Sequence, residues 1–429
     1  MKSAALLLPL LAVTAATAVA ADEAPAATTS TPPPAASGEW QKQQLTEHFW
    51  AEGACVGDVN KDGKNDVLCG PYWYEGPAFT KKHTIYQMDK SFPRKKDDGT
   101  EEQVPGFPGL LSGKNDYSNN FVSYTYDFNA DGWADYLVIG FPGVETFWFE
   151  NPKGKDELWQ RHTALKNTDN ESPMFVDIDG DKAPDLLCMS GGTLGYAKFD
   201  PKNPTAEWKW NNVSGASDKR YQRFTHGIGY GDINKDGRTD LLEARGWWEQ
   251  PANWGGTDPW KFHETEFGGG GAQMYGYDVN ADGKTDVITS LQAHGWGLVW
   301  FEQTNDGGAI GWTKHTIVGS KAGEGETGIA FSQPHAIDLA DMNGDGLLDI
   351  ITGKRFWAHG PKGDADPNAW AVLWWFELKR EAGKAKYIPH LIDDNSGVGT
   401  QVMATDINGD KKLDVVVGNK RGAFVHLRK

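Results

Sequence analysis

Carboxylate and amide side chains recur at a fixed spacing in seven nine-residue loops. Positions 1, 5 and 9 of each loop are aspartate, and position 3 is asparagine or aspartate. Clustered oxygen ligands of this kind, completed by a backbone carbonyl at position 7, suit Ca²⁺, which takes roughly six to eight oxygens. The sequence therefore predicts up to seven calcium sites. The predicted ligands are Asp58, Asn60, Asp62, Asp66, Asp127, Asn129, Asp131, Asp135, Asp177, Asp179, Asp181, Asp185, Asp232, Asn234, Asp236, Asp240, Asp278, Asn280, Asp282, Asp286, Asp341, Asn343, Asp345, Asp349, Asp406, Asn408, Asp410 and Asp414.

Position 6 distinguishes two of these loops from the others. It is glycine in five copies, as a sharp turn with positive φ requires, but it is Lys182 in the third loop and Lys411 in the seventh. We therefore expect the third and seventh sites to be the weakest or the most strained. An EF-hand is a poor alternative, because it needs a glutamate at position 12 and flanking helices. Only Glu243 meets the first requirement, and apolar β-branched runs follow the loops.

Histidines supply the second set of candidate functional residues. Five of the 11 histidines end a repeated aromatic–basic–His motif, and we interpret these five as architectural. His226, His294, His335 and His359 lie outside that motif. The first three are candidates either for binding a divalent transition metal such as Zn²⁺ or for acting as acid and base in catalysis.

Other polar and aromatic residues occur in links that should share one face of the fold, opposite the acidic loops. These links join the second and third strands of a repeat, or join one repeat to the next. A long insertion at residues 89–120 lies on the same face and has the length of a lid or binding loop. The candidate substrate contacts on this face are Arg245, Gln273, Gln333, Lys354, Arg355, Trp357, His359, Gln401, Asn419 and Lys420.

Short strands must position these loops. The acidic loops begin between 46 and 69 residues apart, and each is followed by a β-branched run, an aromatic strand and the histidine motif. This pattern predicts repeats of four antiparallel strands in which the acidic loop joins the first two. A fourth-strand motif at Trp40 precedes the first loop, while the last repeat ends after its third strand. The N-terminal strand can thus complete the last repeat and close a ring, which protects the sheet edges. We predict an all-β, seven-bladed β-propeller over residues 39–429 rather than an open solenoid.

The first 38 residues have the composition of an export signal and a linker. Lys2 precedes an apolar run over residues 4–19 and a small-residue cleavage site at Ala18-Val-Ala20. We predict a cleaved signal peptide at residues 1–21 and a disordered Ala/Pro/Thr linker at residues 22–38. The protein should be secreted or periplasmic, with no membrane span, because no later segment is long and apolar enough.

Charge and cysteine content narrow the classes of partner. The formal net charge is −17, which argues against nucleic acid, since phosphate binding needs a basic surface. Seven bound Ca²⁺ ions would offset most of that charge. Three cysteines are too few for a disulfide scaffold. Cys55 and Cys69 flank the first loop, where either a disulfide or two free thiols is compatible with the sequence.

The repeated loops resemble those of the FG-GAP/VCBS repeat family, which includes the propellers of integrin α-subunits. The resemblance covers residues 40–429 and implies structural calcium in the hairpins between the first and second strands. The Phe-Gly and Gly-Ala-Pro signatures are mostly absent, which places the chain nearer the VCBS-like branch. The segments Gln333–His335 and Lys354–Trp357, together with His359, are also loosely similar to the propeller of aldos-2-ulose dehydratase.

Two classes of function are compatible with these features. One is a carbohydrate-active enzyme, such as a sugar lyase or dehydratase. The other is a non-catalytic module that binds glycans or proteins, as adhesion propellers do. A purely structural surface repeat is a third alternative. No Ser-His-Asp, Cys-His or nucleotide-binding motif indicates other chemistry. We expect a monomer with a carbohydrate or another extracellular ligand.

Overall fold

The computed structural model describes residues 29–35, 37–96, 98–381 and 384–429, and this part of the chain is almost entirely β-structure. The predicted signal peptide and the first part of the predicted linker lie outside the described residues. Within the described part, no helix is long and apolar enough to cross a membrane.

Twenty-nine strands and one 3-10 helix (Leu110–Ser112) make up the described secondary structure. In chain order the strands are β1 (Trp40–Thr46), β2 (Cys55–Gly57), β3 (Asp66–Cys69), β4 (Tyr72–Tyr74), β5 (Lys82–Thr84), β6 (Ser91–Lys95), β7 (Glu101–Pro105), β8 (Val122–Tyr126), β9 (Asp135–Ile139), β10 (Val144–Glu150), β11 (Gln160–Val176), β12 (Asp185–Ser190), β13 (Thr193–Lys198), β14 (Lys209–Asn212), β15 (Ile228–Gly231), β16 (Asp240–Glu243), β17 (Gly246–Glu249), β18 (Lys261–Glu264), β19 (Gln273–Tyr277), β20 (Asp286–Ser290), β21 (Leu298–Asp306), β22 (Ala309–Val318), β23 (Ile337–Ala340), β24 (Asp349–Gly353), β25 (Leu373–Glu381), β26 (Lys384–Asp393), β27 (Val402–Thr405), β28 (Asp414–Asn419) and β29 (Gly422–Arg428).

These strands form four-stranded antiparallel meanders, and each acidic loop joins the first two strands of one meander. β2–β5 and β23–β26 are separate sheets, whereas β8–β11 and β11–β14 share the long strand β11. β15–β18 and β19–β22 are joined because β15 and β19 pair in parallel. β6 and β7 form an antiparallel hairpin within the insertion at residues 89–120.

The first strand of the chain pairs with the last. β1 lies antiparallel to β29, with Trp40 opposite Arg428, and completes a sheet in the order β1-β29-β28-β27. The offset of motifs in the sequence predicts this pairing. It satisfies the backbone groups on one edge of β29, which would otherwise be exposed.

The repeated histidines are part of this framework. In β11, His162 stacks on Trp148 with ring centroids 4.5 Å apart, and its Nε2 lies 2.9 Å from Glu150 of β10. The same stacking and hydrogen bond recur in four other meanders, which agrees with an architectural role. The equivalent trios are Trp73–His83–Glu75, Trp247–His263–Glu249, Trp300–His315–Glu302 and Trp375–His390–Glu377.

The last aspartate of each acidic loop stabilises the hairpin through hydrogen bonds to backbone N–H groups. Asp66 is fully buried, and its carboxylate accepts hydrogen bonds from the backbone N–H groups of Val59 and Gly76. Burial raises the pKa of Asp66 to about 6. Five other loops repeat both backbone bonds, at Asp135, Asp240, Asp286, Asp349 and Asp414.

Backbone strain is distributed differently from the expectation for the third and seventh loops. Lys182 and Lys411 do adopt positive φ, at 74° and 70°. However, position 4 also has positive φ, and these two loops have glycine there. Four other loops carry the reverse arrangement, with a lysine or alanine at position 4 and glycine at position 6. The third and seventh loops are therefore no more strained than those four, which corrects the expectation that they are the most strained.

The structure decides one alternative left open by the sequence and revises a second feature. Cys55 lies opposite Leu68 rather than Cys69, so the two cysteines point to opposite faces of the hairpin, and both are free. Part of the segment predicted as a linker contacts the rest of the protein. The backbone N–H of Thr31 donates to the carbonyl of Ala330 at 2.7 Å.

Candidate histidine–glutamate site

Side chains from the same position of different repeats converge at the end of the sheets opposite the acidic loops. Glu52, Glu171, His226 and His335 each lie six residues before the first aspartate of their acidic loop. This position lies two or three residues before the first strand of a meander, or within β11 in the case of Glu171. Equivalent strands therefore deliver these four side chains to one place.

Three imidazoles and one carboxylate form the centre of this site. The Nε2 atoms of His294 and His226 are 3.0 Å apart. Oε2 of Glu171 is 3.6 Å from Nε2 of His226 and 3.3 Å from Nε2 of His335. One ligand atom from each of the four residues lies within 4.8 Å of all the others. We call these four residues the His/Glu cluster.

The backbone fixes the two neighbouring members of the cluster. Asn170 has a φ of 81° and turns the chain just before Glu171. The N–H groups of Asn170 and Glu171 then donate to the carbonyls of Arg223 and Thr225, each at 3.0 Å. Because Thr225 immediately precedes His226, this pairing holds the Glu171 carboxylate beside the His226 ring.

A buried arginine and a buried glutamate adjoin the His/Glu cluster. Arg355 is 1% exposed, and its Nη1 lies 2.9 Å from Nε2 of His335 and 3.2 Å from Oε2 of Glu171. Its Nη2 lies 3.2 Å from Oε2 of Glu52. Glu52 is also 1% exposed, yet neither of its carboxylate oxygens has a hydrogen bond from any described residue. A buried carboxylate that lacks hydrogen bonds is costly unless a ligand supplies them.

The rim of the site carries a third carboxylate shared by two histidines. Nδ1 of His359 lies 2.8 Å from Oδ1 of Asp364, and Nδ1 of His294 lies 3.5 Å from Oδ2 of the same residue. The rings of His294 and His359 are 4.4 Å apart. Asp364 thus orients one member of the His/Glu cluster and one exposed imidazole at its mouth.

Electrostatics favour the charged form of Glu171 and the neutral form of His335. Burial alone would raise the pKa of Glu171, but the neighbouring His226 and His335 and the charge of Arg355 hold it well below its usual value. Burial and the charge of Arg355 lower the pKa of His335 well below its usual value. A neutral imidazole is the form that binds a metal.

Two buried lysines lie near the site. Burial lowers the pKa of Lys354 to about 7, and its Nζ donates to Oγ of Ser332 at 2.6 Å. Burial also lowers the pKa of Lys420 to about 8. The Lys420 ammonium donates to Oδ1 of Asn115 and lies 4.5 Å from the ring centroid of Tyr117. The insertion at residues 89–120 therefore reaches the site.

The structure brings together His226, His294 and His335, which the sequence singled out, and places Arg355 and His359 beside them. Several other candidates are held by the protein itself. Both polar atoms of their side-chain amides have hydrogen bonds within the fold, so we revise their expected role from substrate contact to positioning. These residues are Gln273, Gln333, Gln401 and Asn419.

Two further candidates also change role. Trp357 is only 8% exposed and donates its indole N–H to Asn368, so it offers no open face for stacking. Arg245 is exposed, and its backbone carbonyl accepts a hydrogen bond from Thr265, away from the cluster.

Three site residues were missed by the sequence analysis. Glu52 and Glu171 share the register of His226 and His335, so the same six-residue offset applied to carboxylates would have found both. Asp364 has no such signal. It reaches His294 only because the loop between β24 and β25 folds back over the neighbouring meander.

In the third acidic loop, one lysine side chain lies among several carboxylates. The ammonium of Lys198 contacts Asp179 and lies 2.7 Å from Asp181 and 3.9 Å from Asp185. The third loop differs from the other described loops because a single ammonium, from β13, contacts three of its carboxylates.

Comparisons with known proteins identify the repeats. A model described as FG-GAP-like repeat matches residues 127–188 and 278–352, and one described as FG-GAP repeat matches residues 398–425. The chain therefore contains FG-GAP repeats, and the resemblance to that repeat family is confirmed. No curated protein shows significant sequence similarity to the chain.

Two solved structures illustrate the level of structural similarity. A lectin of Agrocybe aegerita that recognises non-reducing terminal N-acetylglucosamine is 13% identical with a TM-score of 0.34, over 87% of this chain and 84% of the lectin. A rhamnogalacturonan lyase of Bacillus licheniformis is 12% identical with a TM-score of 0.39, over 94% of this chain and 75% of the lyase. Similarity this low carries no inference about function.

Proposed function

We propose that this protein is an exported, calcium-stabilised seven-bladed propeller that binds one divalent transition metal and acts on carbohydrate as a lyase or dehydratase. The His/Glu cluster is the observation that carries the proposal. Three imidazoles and a carboxylate with mutually close ligand atoms are rare in a protein interior unless they serve a metal or catalysis.

The spacing of the cluster suits a tetrahedral ion. Ligand atoms about 2.0–2.1 Å from zinc lie about 3.3 Å from one another in a tetrahedron. Three of the six pairs in the cluster are separated by 3.0, 3.3 and 3.6 Å, and all six lie within 4.8 Å. Asp364 beside Nδ1 of His294 has the position of an outer carboxylate that orients a metal-binding histidine. A bound ion would require Nη1 of Arg355 to move away from His335 towards Glu52.

The surrounding side chains suit a polyhydroxylated substrate. A bound divalent ion would polarise a carbonyl or hydroxyl oxygen of the sugar. Arg355 can donate hydrogen bonds to hydroxyl groups, and the carboxylate of Glu52, which is paired with Arg355 but has no hydrogen bond from the described residues, can accept them. His359, held through Nδ1 by Asp364, presents Nε2 to exchange a proton. In the proposed elimination, a proton leaves the carbon beside the carbonyl, the adjacent C–O bond breaks, and the departing oxygen takes up a proton as a C=C bond forms.

A substrate screen tests this proposal. Keto-sugars and polysaccharides would be incubated with the zinc-loaded protein, and formation of an unsaturated product would be followed by ultraviolet absorbance and mass spectrometry. We expect turnover with the native chain, and a loss of at least about 100-fold in kcat/KM for His359→Ala, since proton transfer contributes about that much or more. Leu158→Ala, an exposed change at the opposite end of the sheets, should retain full activity.

The same screen distinguishes the alternative function. Sugar binding without turnover in any sample would identify a glycan-binding module. Absence of both binding and turnover would contradict the carbohydrate proposal altogether.

Calcium binding by the acidic loops is the second part of the proposal. The position-9 aspartates use backbone bonds to hold each hairpin, and the carboxylates and amides at positions 1, 3 and 5 are grouped on the exposed turn. In the first loop, for example, Asp58 and Asn60 both accept from the N–H of Asp62, which gathers their oxygens around one point. Such a group of anions is stabilised by a divalent cation.

The third loop should bind calcium most weakly, because Lys198 lies among its carboxylates. We predict that native mass spectrometry and calcium titration will show one strong site fewer than the number of acidic loops. Lys198→Met removes the ammonium while keeping much of the apolar side chain, and it should add one calcium ion. Lys284→Met is a matched control, because Lys284 contacts the single carboxylate Asp282. An unchanged calcium count in Lys198→Met would contradict this assignment.

The ring architecture and the export of the protein complete the proposal. Pairing of β1 with β29 and the seven copies of the acidic loop support a closed, seven-bladed propeller. The apolar N-terminal run and its cleavage site support secretion or a periplasmic location.

A further inference from the structure

Three aromatic rings form a continuous track at the mouth of the site. The ring of Tyr117 lies 6.4 Å from that of His359 and 5.5 Å from that of Phe141. Phe141 in turn lies 5.7 Å from Phe224. The track therefore leads from an imidazole of the site outwards to the exposed ring of Phe224.

Each end of this aromatic track is fixed to residues of the site. The Lys420 ammonium lies 4.5 Å from the centroid of Tyr117. Phe224 lies two residues before His226, within the segment that accepts backbone hydrogen bonds from Asn170 and Glu171. The track and the His/Glu cluster consequently keep a fixed relative position.

Exposed apolar side chains are concentrated at this end of the molecule. Among the described residues, four large hydrophobic side chains are exposed: Leu110, Leu158, Phe224 and Trp370. Leu110, Phe224 and Trp370 lie in links on the face of the site, and only Leu158 lies on the side of the acidic loops. Phe224 is 53% exposed although an aromatic ring gains from burial. Exposed apolar groups beside a polar pocket are typical of a binding surface.

We propose that the Tyr117–Phe141–Phe224 track is a subsite for further sugar rings of an oligosaccharide whose terminal ring enters the His/Glu site. This rests on the carbohydrate function proposed above and specifies its substrate as a chain rather than a single sugar. A pyranose has C–H groups on its faces and hydroxyls on its edges, so its faces pack on aromatic rings. The guanidinium of Arg223, 5.7 Å from the Phe224 centroid, supplies donors for the hydroxyls.

A glycan fits this surface better than a protein partner. A stable protein interface buries about 800 Å² on each partner, with a contiguous apolar centre. The track is instead a single file of rings that ends at a recessed polar site. A narrow ligand with alternating apolar faces and polar edges matches that arrangement.

Calorimetry with sugars of increasing length tests the subsite. The zinc-loaded full chain would be titrated with β-1,4-linked glucose, mannose and xylose series and an α-1,4-linked galacturonate series, each from monosaccharide to hexasaccharide. For the series that binds, affinity should rise with length in the native protein. Phe224→Ala should lose about tenfold in affinity for the longer sugars, as expected for an exposed aromatic anchor, and should bind the monosaccharide normally.

Two variants serve as controls. Phe224→Tyr keeps the ring and should restore native affinity for the longer sugars. Leu158→Ala removes an equally exposed hydrophobic side chain at the opposite end and should change nothing. If native protein and Phe224→Ala gain equally with sugar length, the subsite is wrong while the carbohydrate function stands. If no sugar of any length binds, both proposals fail.

Discussion

Replacing Glu171 with glutamine is expected to lower the affinity of the protein for Zn²⁺ by more than about 100-fold and to remove its activity on carbohydrate. Outer residues that orient a metal ligand are worth about 10–100-fold in affinity, and a charged ligand of the ion is worth more. Glutamine has nearly the same shape as glutamate, so the variant removes the charge without leaving a cavity. Competition with a zinc-binding dye would measure the affinity.

Related variants should lose zinc affinity to different extents, according to how directly the replaced residue contacts the ion. His226→Gln, at a partly exposed ligand, should lose metal to a similar extent. Asp364→Asn, which changes the residue beside Nδ1 of His294, should lose about 10–100-fold. Leu158→Ala should bind zinc as the native chain does. Equal zinc affinity in Glu171→Gln and the native protein would show that the cluster is only a hydrogen-bonded network with Arg355.

Removing calcium should produce the largest change in stability. With free Ca²⁺ at about 100 times its Kd, each site adds about 2.7 kcal/mol to the free energy of unfolding. The contributions of several sites in one folded unit add together. We expect the calcium-selective chelator EGTA to lower the melting temperature by more than about 10 °C. Excess Ca²⁺, but not Mg²⁺, should reverse the loss, because Mg²⁺ demands a smaller and more regular octahedral site.

A single-loop variant separates calcium loss from other effects of the chelator. The carboxylate of Asp278 accepts hydrogen bonds from the backbone N–H groups of Asp282 and Gly283, both in its own loop. Asp278→Asn should therefore remove one calcium site and a corresponding share of the stabilisation. In EGTA, the melting temperatures of Asp278→Asn and the native protein should converge. A melt of the native protein that is insensitive to EGTA would contradict the structural role of the loops.

The two proposed metal classes lie at opposite ends of the same strands. In four of the seven repeats, a site residue lies at one end of the first strand and the acidic loop begins at the other end, six residues later. Extended chain of that length spans about 20 Å. Rigid acidic loops would thus fix the ends of the strands that deliver Glu171, His226 and His335. This arrangement explains how a repeated scaffold can hold a site that is not itself repeated.

The repeat architecture could be predicted because its signals are local. The acidic loop, the aromatic strand and the histidine motif each fall within a short stretch of chain, and their recurrence fixed the order of strands. The pairing of β1 with β29 followed from a missing fourth strand in the last repeat. The three central histidines could be found because they break the repeated pattern.

The remaining features of the site depend on contacts between distant segments. The packing of neighbouring sheets decides whether the side chains of Gln273 and Gln401 face a ligand or the backbone. Both side-chain amides form hydrogen bonds to backbone groups of neighbouring sheets. Asp364 meets His294 across 70 residues of sequence through a loop of irregular structure. Residue type alone does not distinguish Glu171 from the other glutamates of the chain. Its distinguishing feature is its position six residues before an acidic loop, which it shares with His226.

The central claim is that one divalent transition metal binds between Glu171, His226, His294 and His335. The most direct measurement is a crystal structure of the zinc-loaded protein with anomalous diffraction recorded on both sides of the zinc absorption edge. We predict one strong anomalous peak about 2.0–2.1 Å from the three Nε2 atoms and from a carboxylate oxygen of Glu171, with Arg355 turned towards Glu52. Zinc-loaded crystals with no peak in the cluster, and with Arg355 still bonded to His335, would contradict the proposal.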